Sequence, residues 1–421
     1  MSCRASITAI ITNFRIIFAI CFGRLMPAFG DAMGSEQKPK KKKRRLLGLL
    51  LSLIPLAILT YFAVSLISGQ GLGISRIIGF FSASTSTLTV DVLEFNVGHD
   101  IVYADLDDSV VAAGTLGIQI FSSVGKETLR DPLRMSSPAL CTGSGSAVVF
   151  DIGGTAARVF SKTEIITSHE TDTPIISASI NNNGYHCVTT QGTGGYKGRT
   201  MVFNSKGKEL YKVDLASGYI LTAIVSPDNK TLAILEMVEG GSRIAFYSID
   251  SEAPGSSFDL PDTLIIDIIF MQTGDVLAVS EDSLLVVNPT GGTGDEIYTY
   301  KNRLLSGYTY DGGFIALHLL DYGIGYSGRI VTISENGKIL GEIMTDKDIL
   351  SVSSRGGDLA VLRSDGVFIY TGILEEFKAL GPPVSAAEAM SILAIGGGVS
   401  LVAGDYSAVV YRAVVERSDG H

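Results

Sequence analysis

Few residues in this chain have the types and spacings that catalysis or metal binding demands. Five histidines, His99, His169, His186, His318 and His421, are scattered with no HxH or HExxH pattern, so no metal site is expected. His186 beside Cys187 is the closest soft pair, and on a strand it reads as a partly buried structural residue. Cys141 and Cys187 are expected as buried free thiols, with a single disulfide as the alternative in an oxidising compartment. The stretch Gln191 to Arg199, QGTGGYKGR, has the glycines of a phosphate loop but lacks the GK[ST] ending and a following helix. Carboxylates such as Asp321 or Asp405 would support an envelope enzyme acting on a saccharide or peptide only as a pair about 5 to 10 Å apart in a pocket. No catalytic residue, metal or cofactor is assigned.

These residues sit on a repeat. Eight times between Val110 and Val399 the chain gives an apolar stretch, a Gly/Asp/Asn turn, a second apolar stretch and a third ending near Tyr or Phe. Aligned on Val110, Ala147, Tyr185, Thr231, Val276, Phe314, Leu359 and Val399, the copies are spaced by 37, 38, 46, 45, 38, 45 and 40 residues. A strand-only period of about 40 belongs to a propeller blade, because one isolated sheet of that size cannot bury its own faces. The third stretches, from GIQIFSS to SAVVYRA, alternate apolar positions as a strand between neighbouring blades must. Hairpins such as NSKGKELYKV and SENGKILGEI then lead to an outer strand.

The last copy stops after its third strand, while Leu88 to Val97, LTVDVLEFNV, is strand-like with no blade to join. Pairing the two removes two exposed edges and closes the ring. The expectation is eight blades over 88–416, or seven if the second unit is irregular, followed by a polar tail over 417–421. Eight residues before each alignment point stand Val102, Ala139, Ser177, Ala223, Ile268, Ser306, Ser351 and Ser391, mostly small, as inner strands converging on an axis require. A serine-lined channel that binds a ligand is the alternative reading of that position.

The N-terminal part is of another kind. Leu46 to Ile67 holds 22 residues without a charge, directly after the basic run Lys38, Lys40, Lys41, Lys42, Lys43, Arg44 and Arg45. That is the pattern of one transmembrane helix (46–68) with a cytoplasmic tail (1–45), a linker (69–87) and everything beyond outside the cell membrane. Residues 1–32 form an extension whose apolar part, Ile7 to Gly23, reads either as a second membrane segment or as sequence upstream of a start at Met33. The whole-chain charge of -10 hides a split: residues 69–421 carry 23 basic and 41 acidic side chains, a net of -18. That sign excludes nucleic-acid binding; it either favours cationic peptides, metal ions or a complementary protein as partners, or serves solubility alone.

Alternating strands send the second-to-third and fourth-to-first connections to one end of the ring. Three second-to-third segments look long, Gln191 to Arg199, Glu236 to Arg243 and Leu320 to Arg329. They supply the candidate binding residues Tyr196, Lys197, Arg199, Glu239, Arg243, Tyr322, Tyr326 and Arg329, since loops on a rigid scaffold carry recognition.

On the period and the GKE-type hairpins, residues 88–416 resemble bacterial propellers of the quinoprotein-like and WD-repeat-like superfamilies, in particular membrane-anchored members of unknown function. Quinoprotein dehydrogenases of this fold use tryptophan docking contacts and active-site metal ligands, and this chain has no Trp. The resemblance therefore implies a binding or scaffolding module with a protein or peptide partner outside the membrane, not an oxidoreductase.

Overall fold

The computed structural model describes residues 87–123, 125–250, 254–321, 328–379, 391–396, 399–404 and 407–414. The expected anchor, the stretch Ile7 to Gly23, the linker up to residue 86 and the polar tail over 417–421 lie outside these residues. So do Tyr322, Tyr326 and Asp405. Every described element is a strand, and among the described residues no helix is long and apolar enough to cross a membrane.

The strands form eight four-stranded antiparallel sheets. Seven are built from consecutive strands, covering residues 102–132, 138–170, 175–215, 219–261, 265–299, 304–345 and 349–379, called blades 1 to 7. Unit two is a regular blade, so the seven-bladed alternative falls. Blade 8 is composite: Ser391–Gly396, Val399–Ala403 and Ser407–Val414 are completed by Thr87–Glu94. This closing strand lies antiparallel to the last one over eight pairs, from Thr87 opposite Val414 to Glu94 opposite Ser407. The expected strand ran to Val97. Phe95 and Val97 instead leave the ladder and bury themselves against Val110, Ala112 and Leu401, which ties blade 8 to blade 1.

Burial follows the position of each strand in its blade. Second strands are covered on both faces: all of Ser109–Gly114 and Val276–Ser280 is buried. The sequences of these two, SVVAAG and VLAVS, are accordingly unbroken runs of apolar or small residues. Fourth strands show one face to solvent, and Ile165–Glu170 alternates half-buried and exposed residues. Among the described residues the core consists of eight apolar clusters, one in each gap between neighbouring blades, such as Val148, Val159, Val188 and Phe203 between blades 2 and 3.

Inner strands are joined around the axis by polar side chains. Ser179 Oγ donates to the Ala223 carbonyl at 2.7 Å, Tyr308 Oη donates to Asp267 Oδ2 at 2.6 Å, and Thr309 and Ser354 share a hydrogen bond of 2.8 Å. Arg355 of blade 7 pairs with Asp105 of blade 1, passing the inner strand of blade 8. The eight inner positions, six of them Ala or Ser, all fall on first strands, as expected from crowding at the axis.

Burial raises the pKa of Asp267 above the usual carboxylate range, although the Tyr308 hydroxyl and the Ile268 amide oppose the shift. A raised carboxyl binds more protons folded than unfolded, so its ionisation removes stability as pH rises from the ordinary carboxylate range through the folded pKa. Asp267→Asn is therefore expected to melt above wild type at neutral pH, with the gap shrinking as pH falls towards the carboxylate range. Thermal melts across pH 4 to 8 check this, and a gap that widens on acidification would exclude it.

Glycine shapes two of the second-to-third turns. Gly117 and Gly241 both have φ of +148°, and a Cβ on either would press on a backbone carbonyl of the adjoining fourth strand, Asp131 or Leu260. Gly117→Ala is expected to cost about 2–4 kcal/mol in urea denaturation. Gly153→Ala, where a Cβ meets open space, should cost about 1 kcal/mol from its positive φ alone.

Candidate functional site

Chain direction divides the ring into two ends. First strands start, and fourth strands finish, at the end bearing the second-to-third and fourth-to-first connections, called the loop face. The first-to-second and third-to-fourth turns make the opposite, turn face. Fourteen large hydrophobic side chains are exposed among the described residues, and ten of them are at the loop face. Leu116, Ile152, Tyr196 and Met237 flank its second-to-third connections, Tyr219, Leu264, Ile266, Leu304 and Leu350 mark the starts of first strands, and Met344 ends a fourth strand. The other four, Ile166, Leu210, Ile339 and Ile373, stand on outer-strand starts or a turn at the opposite end.

A repeated backbone device produces part of this distribution. In blades 3 to 7 the first strand carries a register shift near its start, between Ile175 and Ser177, Ile220 and Thr222, Ile265 and Asp267, Leu305 and Gly307, and Ile349 and Ser351. A bulge leaves one residue out of the ladder and re-aims its side chain. In blades 5 and 7 that residue is Ile266 or Leu350, 46% and 44% exposed. Exposed acids stand among these apolar groups, including Asp172, Glu239, Asp262, Glu281 and Asp282.

The candidate binding residues divide by blade. Tyr196, Lys197 and Arg199 lie together on blade 3, where the Lys197 ammonium sits 5.5 Å from the centre of the Tyr219 ring of blade 4. Glu239 and Arg243 are on blade 4, and Arg329 is on blade 6. Each arginine is tied to a carboxylate on the fourth strand of its own blade: Arg199 Nε to Asp214 at 2.6 Å, Arg243 Nε to Asp259 at 2.7 Å, and Arg329 to Glu342. They brace the outer edges of three blades and do not converge on one point. Asp321 is likewise engaged, by Arg303 Nε at 2.7 Å.

The Glu236 to Arg243 segment is not a loop. Glu236, Met237 and Val238 pair with Arg243, Ser242 and Gly241, leaving only Glu239 and Gly240 in the turn. Positive φ at Gly240 and Gly241 permits so tight a reversal, and the added length extends two strands to eight residues each. In blade 3 the connection is a true loop over residues 192–197.

That loop borders a cavity of about 340 Å³ in the gap between blades 2 and 3. It runs from the loop face along the outer strand of blade 2, and its walls include His169, Glu170, Asp172, Gln191, Arg199 and Met201. In the same gap His169, on the fourth strand of blade 2, meets His186, on the second strand of blade 3, with Nε2 atoms 2.9 Å apart. His186 is fully buried, and its Nδ1 lies 3.1 Å from the Gly184 carbonyl. A carbonyl only accepts, so Nδ1 holds the proton and Nε2 presents its lone pair to His169. Phe203 flanks both rings, its centroid 4.1 Å from that of His169 and 5.2 Å from that of His186. Burial lowers both pKa values, that of His186 to about 4, so both rings are neutral at pH 7.

Alternation separates His186 from Cys187. His186 faces blade 2, whereas Cys187 packs between blades 3 and 4, where its thiol donates to the Ala223 carbonyl at 2.9 Å. Burial pushes that thiol up to about 12. Cys141 is packed between blades 2 and 3 and is also free, so the disulfide alternative is not realised.

Residues 86–372, from the closing strand into blade 7, match the model of DUF5711, a family of unknown function. The chain belongs to that family. Solved propellers resemble this DUF5711 member at low identity. The C-terminal WD40 domain of Sif2 aligns at 15% identity with a TM-score of 0.55, over 79% of this chain and 99% of that one. BamB from Moraxella catarrhalis aligns at 15% and 0.51, over 78% and 100%. A quinohemoprotein alcohol dehydrogenase from Pseudomonas putida aligns at 9% and 0.50, over 83% and 81%. At these identities the likeness is one of fold. No curated protein matches the DUF5711 chain.

Proposed function

We propose that this DUF5711 member is a membrane-tethered, extracytoplasmic propeller that works as a non-catalytic scaffold, holding a protein or peptide partner on its loop face. The observation that carries this reading is the gathering of ten of the fourteen exposed large hydrophobics at that end of the ring. Apolar groups at the centre of a surface patch supply most of the binding energy of protein interfaces, and polar rims supply orientation. The acids between them, with a net charge of -18 over residues 69–421, select a partner segment that is both apolar and basic. The tether is the uncharged Leu46 to Ile67 stretch, oriented by the basic run before it.

Photo-crosslinking side chains placed at Leu304 or Leu350, compared with Ile373 on the turn face, test the surface in intact membranes. The expected result is one partner captured from the loop-face positions alone, with a basic, apolar contact segment on mass-spectrometric mapping. Equal capture from both faces would remove the assignment. Protease added outside intact cells should cut the propeller loops and spare the basic tail, and the reverse pattern would invert the orientation. Turnover of a cell-wall saccharide or peptide, lost on Asp172→Asn, would favour the envelope-enzyme reading instead.

A further inference from the structure

The histidine pair between blades 2 and 3 has several parts of a metal-binding site. The two rings come from different blades and point their Nε2 atoms at the same space, 2.9 Å apart. Two imidazole nitrogens bound tetrahedrally to one ion at about 2.0–2.1 Å lie roughly 3.3 Å apart. Admitting an ion therefore needs only a few tenths of an ångström of movement at each ring. His186 already has the outer contact that orients a ligating histidine, its Nδ1–H donating to the Gly184 carbonyl. Phe203 holds both ring planes. The half-buried His169 lines the cavity, so an ion can reach the pair from solvent.

We propose that His169 and His186 bind a divalent transition-metal ion of the copper or zinc class between their Nε2 atoms. Neutral imidazole is the donor that such borderline ions prefer, and Cu²⁺ should bind more tightly than Zn²⁺. Among the described residues no group of three or more His, Cys, Asp or Glu forms a ready metal cage. The remaining coordination positions therefore go to water in the cavity, whose wall bears the carboxylates Glu170, Asp172 and Glu209. Binding requires His169 to change tautomer, its Nε2 proton passing to solvent while Nδ1 takes one up, so that both Nε2 lone pairs of neutral rings face the ion. The ion then replaces a hydrogen bond between neutral rings and clamps the outer strand of blade 2 to blade 3. This site is independent of the loop-face scaffold reading, and either can fail without the other.

The test uses the tag-free, detergent-solubilised full chain and Cu²⁺ alone, followed by equilibrium dialysis and electron paramagnetic resonance. The expected result is one Cu²⁺ per chain with hyperfine structure from two nitrogen donors. His169→Gln, at a half-buried position on an outer strand, should weaken binding at least tenfold and leave one nitrogen donor. His99→Gln, an exposed site beside Asp100, should leave binding unchanged and so distinguishes adventitious surface uptake. Zn²⁺ should raise the melting temperature of wild type and not that of His169→Gln. Absence of stoichiometric Cu²⁺ on wild type, or equal binding by His169→Gln, would overturn the proposal and leave a hydrogen-bonded pair.

Discussion

Replacing Thr87–Glu94 by a Gly/Ser segment of equal length is expected to cost more than about 5 kcal/mol, a loss comparable to the whole stability of many domains. The change removes the eight-residue ladder with Ser407–Val414 and the burial of Leu93, which is 7% exposed. It also leaves a full-length open edge on blade 8, the kind of surface that pairs with other chains. Urea denaturation should show a collapsed midpoint, and gel filtration should show aggregates. A synthetic peptide of residues 87–94 added during refolding should recover part of the loss by strand addition. An unchanged midpoint would mean that closure rests on blade contacts elsewhere.

The second large effect is on binding. Tyr219→Asp combined with Leu304→Asp is expected to weaken partner affinity by about a hundredfold or more, the scale at which removal of central apolar anchors is felt. The two residues are 57% and 50% exposed, so stability should stay within about 1 kcal/mol of wild type. Ile373→Asp on the turn face, at 45% exposure, is the matched control and should leave binding intact. Titration against the captured partner measures both variants. Equal losses in all of them would point to a general charge effect instead of a face.

The ring was legible in the sequence because its signals are local. Each blade repeats turn chemistry and period-two patterning, and the unpaired strand at Leu88 answers the missing fourth strand of blade 8 by simple counting. The site was less legible because its causes are not local. Exposure of Ile266 and Leu350 depends on a bulge that shifts register by one residue, and composition alone does not reveal where an apolar run slips. The Glu236 to Arg243 segment looked like a loop because Glu-Gly-Gly reads as a breaker, whereas two glycines with positive φ make the tightest of turns. His169 and His186 are 17 residues apart on strands of different blades. Only the packing of one blade on the next brings them together, and no spacing rule anticipates it.

The composite blade also decides how the ring would carry mechanical load. The closing strand starts with Thr87 at the turn face, whereas a bound partner would hold the loop face, so tension between the two runs along the strand axis of Thr87–Glu94. Along that axis the eight pairs with Ser407–Val414 are loaded together in shear, where a pull across the sheet would peel them one at a time. The seam that completes the ring is thus the joint best placed to withstand traction through the polypeptide that precedes it.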